Sequence, residues 1–208
     1  MSARELLFDA AAHRYTVAGE ALPSVTAILQ PLTAYGSVPP AVLANKALLG
    51  AAAHRAVELH DQRNLNLASL HPLVRPYLDA YVAFRQAHRF APALNEARLW
   101  HPLHRFAGTL DLLGLLDEAP ALIDLKCTAA LMPSVGPQTA AYKAAAMESP
   151  TLAEPLRELA RAARRYCLQL RPDGTYQLQP CDDPNDWAVF LSALTLHTFK
   201  QKHAKHYN

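Results

Sequence analysis

Apolar positions change period several times along the chain, and each change marks an element. Leu6–Asp9 and His13–Val17 are short alternating runs that predict a small hairpin, followed by a turn at Ala18-Gly19-Glu20. Ser24 is the expected N-cap of a short helix, Val25–Gln30: its hydroxyl can take a free N–H of the first turn, and Pro31 ends the helix. After a loop containing Gly and Pro, residues from Pro40 to about Gln62 are rich in Ala and Leu. Val42, Leu49, Ala53, Val57 and Leu59 fall near helical spacing there, which predicts a long helix. A second helix is expected over Pro72–Phe90, with Leu73, Tyr77, Leu78, Tyr81 and Phe84 on its apolar side and Pro76 in its first turn.

The pattern then shortens to strands: Leu94–Trp100, Phe106–Leu116 and Ala121–Cys127. The middle one is apolar on both faces, as in a sheet covered on both sides. Pro137 opens an Ala-rich helix to Glu148, and Thr151 another to Arg165. Tyr166–Arg171 and Thr175–Gln179 flank the turn residues Pro172-Asp173-Gly174 and read as an antiparallel pair, before a closing helix from Asp183 to about Lys202. With no internal repeat and no long linker, residues 1–208 are expected to form a single α/β domain.

Composition narrows the class. A chain of 208 residues with 51% hydrophobic and 18% charged side chains can bury a core without disulfides, which excludes a disordered or fibrous protein. The apolar runs are short and interrupted, so neither a membrane span nor a secretory signal is expected. Cys127, Cys167 and Cys181 are odd in number and lack a CxxC pair. That points to a reducing, cytoplasmic setting and to no four-thiolate zinc or iron–sulfur cluster. The net charge of +2 leaves the partner open, because a nucleic acid would need basic groups concentrated locally.

The chemistry concentrates between Asp111 and Lys126. Asp124 and Lys126 are two apart on a strand and so share a face. If the two strands are antiparallel neighbours, Asp111 comes beside Asp124 and the carboxylates can share a hard divalent ion, Mg2+ or Mn2+. Lys126 would then stand next to the ion, placed to stabilise charge on a phosphate. The bland alternative is a pair of turn-flanking surface aspartates and a solvated lysine.

Around these residues the chain carries an ordered set of motifs: Gly50-Ala51-Ala52-Ala53-His54, Glu96, Gly108-Thr109-Leu110-Asp111, Asp124-Leu125-Lys126 and Gln138-Thr139-Ala140-Ala141-Tyr142. This set resembles the PD-(D/E)XK nuclease superfamily, and within it the RecB-type exonucleases of phage and recombination systems, over about Gly50 to Arg171. The resemblance implies a restriction-endonuclease-like αβββαβ core, a mixed central sheet flanked by helices, over about residues 40–180, with additional N- and C-terminal helices. It implies Asp111, Asp124, His54 and the Leu125 carbonyl as ligands of Mg2+ or Mn2+, and Lys126 as the catalytic lysine. Gln138 and Tyr142 would face the site from the following helix. Glu96 is the further acid by position, and Glu58, one turn after His54, is its competitor.

By the same resemblance the activity is that of a metal-dependent deoxyribonuclease, an exonuclease of phage or prophage recombination or repair acting on single- or double-stranded DNA. It would work alone, as a homo-oligomer or with a recombination partner. A structure-selective or nicking endonuclease on the same core, and a non-cleaving DNA-binding accessory module, are the rival readings. Cys127 departs from the Thr or Ser that usually follows the D-x-K lysine in this group.

Other residues carry two readings each. Arg157, Arg161, Arg164 and Arg165 recur at helical spacing with Arg171 close behind. They could follow a nucleic-acid backbone or form a solvated face paired with Glu154 and Glu158. Lys200, Lys202, His203, Lys205 and His206 form a second basic cluster. His101 and His104 read as part of a turn rather than a zinc site. Tyr35, Trp100 and Tyr176 could stack on bases or serve the core.

Overall fold

The computed structural model describes residues 5–33 and 39–204; Tyr35, Lys205 and His206 lie outside them. The chain opens with an antiparallel meander of β1 (Leu6–Asp9), β2 (Arg14–Val17) and β3 (Glu20–Leu22). The expected hairpin is present, but Glu20, read as a turn residue, begins a third strand. Ala18 and Gly19 both take positive φ and make the two-residue connection, with Val17 facing Glu20. Helix α1 (Val25–Ile28) is capped by the Ser24 side chain, which accepts the Ala27 N–H at 3.1 Å. It stops earlier than expected because Gln30–Leu32, with Pro31 inside it, tightens into a 3-10 turn.

Two long helices follow, α2 (Pro40–Asp61) and α3 (Arg75–Ala87), the latter with Pro76 in its first turn, where its missing N–H costs nothing. The helix expected to reach Phe90 ends short of it. Phe90 instead opens β4 (Phe90–His101), which pairs along the whole length of β5 (Phe106–Leu116), from Phe90↔Leu116 to His101↔Phe106. Strand β6 (Ala119–Cys127) returns through the two-residue turn Asp117-Glu118. Then come α4 (Val135–Glu148), α5 (Glu154–Ala162), β7 (Arg164–Leu170), β8 (Tyr176–Pro180) and α6 (Asp186–His203).

The main sheet has the order β4-β5-β6-β7-β8, antiparallel except for the parallel pair β6 and β7. The crossover between those two strands carries α4 and α5, as a parallel connection requires. Helices cover both faces. Val25, Leu110, Leu122, Ala141 and Phe190 join α1, α4, α5 and α6 to one face, while Val57, Tyr81, Phe84, Leu112 and Ile123 join α2 and α3 to the other. Strand β6 alternates between these layers, Leu122 into the first and Ala121, Ile123 and Leu125 into the second. The architecture is therefore a mixed α/β fold with helices on both sides of a five-stranded sheet. Among the described residues, no helix is long and apolar enough to cross a membrane.

The meander is fastened to the sheet. Tyr15, Val17 and Leu22 bury against Trp100 and Ala107, and the Ala107 N–H donates to the Pro23 carbonyl at 3.0 Å. Gly114 shows how tightly the long hairpin packs: a Cβ there would fall inside the backbone of Ala91 and 2.9 Å from Pro92 Cα. Gly114→Ala is expected to destabilise the protein by about 1–3 kcal/mol, read from urea unfolding; an unchanged midpoint would mean the β4–β5 approach is looser than this.

His101 adds a pH dependence. Its ring is buried and stacked near Trp187, and its Nδ1 accepts the His104 N–H at 3.3 Å. Burial, and then the charge of His104, pull its pKa down to about 4. An unfolded histidine titrates near pH 6.5, so below that pH the unfolded chain binds a proton that the folded one refuses, and stability falls as the pH drops. Between pH 7 and 4.5 the loss of stability should be about 2–3 kcal/mol smaller in His101→Phe than in the wild type. Equal losses would show that His101 titrates freely.

Candidate metal centre

The site forms where the β5–β6 ladder ends. Pairing runs from Leu116↔Ala119 to Leu112↔Ile123, and the same register continued would set Asp111 opposite Asp124. At that point the side chain of Asp111 intervenes: its Oδ2 accepts the Leu125 N–H at 2.6 Å. Asp124 and Lys126 share the face of β6 that carries Leu122 toward α4, and Lys126 Nζ lies 2.6 Å from Asp124 Oδ2. Asp124 is fully buried, and neither of its oxygens accepts a hydrogen bond of normal geometry among the described residues.

Strand β4 supplies the next group by a local break. Asn95 pairs with Leu112 and Ala97 with Leu110, so Glu96 stands opposite Asp111 in register, but at φ 50° it is left-handed rather than extended. For a residue with a Cβ that conformation costs on the order of 1–2 kcal/mol, and such strain collects at functional sites. Glu96 Oε1 lies 3.3 Å from His54 Nδ1, and the same nitrogen lies 3.3 Å from Asp111 Oδ1. One ligand atom each from His54, Glu96 and Asp111 falls within 4.8 Å of the others. Helix α2 brings His54 here with Gly50 one turn earlier lining the same cleft.

Helix α4 closes the opposite wall. Gln138 Nε2 donates to Tyr142 Oη at 3.1 Å, and the Tyr142 ring presses on Gly108, where a Cβ would meet Tyr142 Cε1 at 2.7 Å and Val25 Cγ2 at 3.2 Å. The glycine of Gly108-Thr109-Leu110-Asp111 is thus required by the tyrosine, three residues before the carboxylate it helps to frame. The whole cleft has a volume of about 770 Å3 and is lined from α2, α4, β4, β5, β6 and the N-terminal meander.

Electrostatics bind these groups together. Burial alone would lower the His54 pKa, but the charge of Asp111 and hydrogen bonds with Asp111 and Glu96 outweigh it and raise it well above the usual value. Burial would raise Asp111, yet His54 and Lys126, with the Leu125 N–H, hold it below the ordinary carboxylate range. Asp124 moves the other way, pushed up to about 6, because burial and repulsion from Asp111 exceed the attraction of Lys126. Lys126 is raised despite its burial, since it faces both carboxylates. Tyr142 is raised by burial and by the same two aspartates, so its hydroxyl stays protonated.

A divalent cation fits this donor set. Three ligand atoms already converge, Asp124 Oδ1 is buried without a partner among the described residues while Oδ2 faces only Lys126, and His54 in its charged form occupies the place of a compensating positive charge. One imidazole among carboxylates suits Mn2+ better than Mg2+, which prefers oxygen alone.

The structure brings together most of the residues singled out from sequence. His54, Asp111, Asp124, Lys126, Gln138 and Tyr142 all line the cleft; Leu125, expected to contribute its carbonyl, is not among the lining residues and touches the site only through its N–H, which donates to Asp111. Of the two competing acids, Glu96 joins the cluster. Glu58 also lines the cleft but is held by Arg55 and by Gln62 Nε2 at 3.1 Å.

The basic stripe is corrected. Helix α5 ends at Ala162, and pairing of Ala121↔Arg164 and Leu122↔Arg165 draws both arginines into β7, so no continuous helical row exists. Arg165 is tied to Asp186 at 2.9 Å and to the Gly136 carbonyl at 3.0 Å, while Arg157 and Arg161 pair with Glu154 and Glu158. None of these, nor Lys200 and Lys202 in the last turns of α6, is among the residues lining the cleft. Trp100 is a core residue, and Tyr176 packs on Phe84 and His88 away from the site. His101 ends β4 and His104 lies within the turn 102–105 that joins it to β5.

Sequence reasoning missed the contribution of the meander. Phe8, His13 and Tyr15 line the cleft together with Thr109 and Arg98. The available signal was Arg98 itself, a cation two residues after Glu96 on a strand. The sequence matches no known family model and no curated protein.

Glu96→Ala and His54→Ala are each expected to weaken Mn2+ binding at least about ten-fold in titration calorimetry, whereas Glu58→Ala should not. The reverse order of Glu58 and Glu96 would move the centre one helical turn.

Proposed function

We propose that the protein is a metal-dependent deoxyribonuclease of the PD-(D/E)XK type, an exonuclease of phage or prophage recombination or repair in the cytoplasm. The observation that carries this reading is the convergence of His54, Glu96 and Asp111 beside the buried Asp124–Lys126 pair in one open cleft. The element order supports it: a helix, three antiparallel strands, the helices α4 and α5, and a strand parallel to the third follow an αβββαβ order with one additional helix in the crossover.

A divalent cation held there, Mg2+ or Mn2+, supplies Lewis-acid stabilisation of a phosphate and makes water more acidic. The protein's own groups do the rest. Lys126 keeps its proton at neutral pH and presents Nζ to negative charge that grows on a phosphate. Asp124 fixes that ammonium in place, and Asp111, braced by the Leu125 N–H, keeps its carboxylate ionised. Tyr142 retains a proton to donate, with the Gln138 amide fixing its oxygen.

The test is cleavage of end-labelled linear single- and double-stranded DNA and closed circular DNA with Mg2+, Mn2+ or EDTA. Wild type should degrade linear DNA only with metal, and Lys126→Ala should lose at least about 100-fold in rate while keeping the wild-type circular dichroism spectrum. Cutting of the circle would replace exonuclease by endonuclease. Binding of DNA without turnover in any metal would leave a binding module.

A further inference from the structure

Three arginine and lysine side chains line the cleft. Arg55 is paired with Glu58 and Lys126 with Asp124; Arg98 alone has no ion pair among the described residues. Arg98 is exposed, and its guanidinium carbon lies 4.8 Å from the ring centroid of Phe8. Phe8 in turn lies against Tyr15, ring centroids 4.6 Å apart, and Tyr15 Oη shares a hydrogen bond with Thr109 Oγ1 at 2.8 Å. Thr109 is the direct cross-strand partner of Arg98. The four side chains therefore close a ring in which the first two strands of the meander clamp a β4–β5 pair.

Position gives this ring a purpose. Arg98 and Thr109 sit two residues along from Glu96 and Asp111 on the same two strands, a step of about 7 Å. That step is comparable with the separation of neighbouring phosphates in an extended strand. A guanidinium stacked on an aromatic ring keeps its N–H fork directed and loses little freedom when it binds a phosphate. The cleft, at about 770 Å3, falls in the ~300–1,000 Å3 range of pockets that enclose one small ligand, which suits a few nucleotides of one strand better than a duplex.

We infer that Arg98 is a phosphate-binding residue for a single nucleic-acid strand, one step from the metal centre, and that Phe8 positions it; this rests on the nuclease reading above. The N-terminal meander is then part of the substrate site.

The test is fluorescence anisotropy of labelled single-stranded oligothymidylate, its RNA counterpart and a blunt DNA duplex, in EDTA, across a salt series. Arg98→Gln, an exposed position that should not disturb folding, is expected to weaken single-strand binding about ten-fold at low salt. It should also flatten the dependence of log K on log salt by about 0.7, the share of one phosphate on a single strand. A neutral methylphosphonate at the contacted position should mimic the variant in wild type and add nothing to it. Phe8→Leu should lose part of the affinity alone and nothing further in the Arg98→Gln background. Arg98→Gln within two-fold of wild type, or an unchanged salt slope, would overturn the assignment, and tighter Arg98-dependent binding of the blunt duplex would overturn its single-strand part. Because binding is read without metal, failure of wild type to cleave DNA would sink the nuclease reading without deciding this one.

Discussion

A carboxylate with no access to water, set next to a second carboxylate, is the constraint around which the site is arranged. Leaving Asp124 ionised in the interior would cost several kcal/mol without compensation. Lys126 supplies part of the compensation, and the rise of the Asp124 pKa to about 6 shows that it does not supply all. Asp111 works against it, since its own carboxylate is ionised and repels Asp124, and the charge of His54 offsets part of that repulsion. Replacing any one of these groups changes the charge state of the others, so they act as one unit.

The fold meets that constraint by breaking its own regularity in a few places. The β5–β6 ladder yields its last bond to a side chain, Glu96 departs from extended geometry in the middle of a long strand, and Gly108 gives up a side chain so that Tyr142 can close the wall. Each of these breaks is enclosed by well-packed apolar layers: α2 and α3 on one side, α1 and α4 to α6 on the other. Rigid surroundings are what allow a strained residue to persist, because relaxing Glu96 would disturb β4 and β5 together.

The elements that were legible in sequence are those with a local cause. Ser24 as a cap, Pro76 in a first turn, the apolar β5 and the Pro172-Asp173-Gly174 turn all follow from side-chain chemistry within a few residues. Asp124 and Lys126 on one face follow from strand periodicity alone. What could not be read depends on pairing across the chain. Arg164 and Arg165 continue a helical charge pattern, but β6 captures them into a ladder; Phe90 continues an apolar helix face, but Leu116 pairs with it. The choice between Glu58 and Glu96 was equally open, since it turns on which acid already has a partner and on a backbone angle that no sequence motif encodes.

The distribution of charge in the cleft links the two kinds of ligand that it fits. At one end Glu96 and Asp111 gather around His54 beside the Asp124–Lys126 pair, and at the other Arg98 stands on an aromatic ring with no carboxylate partner among the described residues. A phosphate approaching Arg98 is attracted by the guanidinium and repelled by the nearby carboxylates, and in a cleft with low-dielectric walls both forces are felt at short range. Neutralising the carboxylate end with a divalent cation removes the repulsion. By thermodynamic reciprocity a bound phosphate strengthens cation binding by the same factor. On the proposed reading, such a cleft would hold a cation weakly when empty and more firmly with a phosphodiester strand across it, so that the complete constellation of charges would form only in that complex.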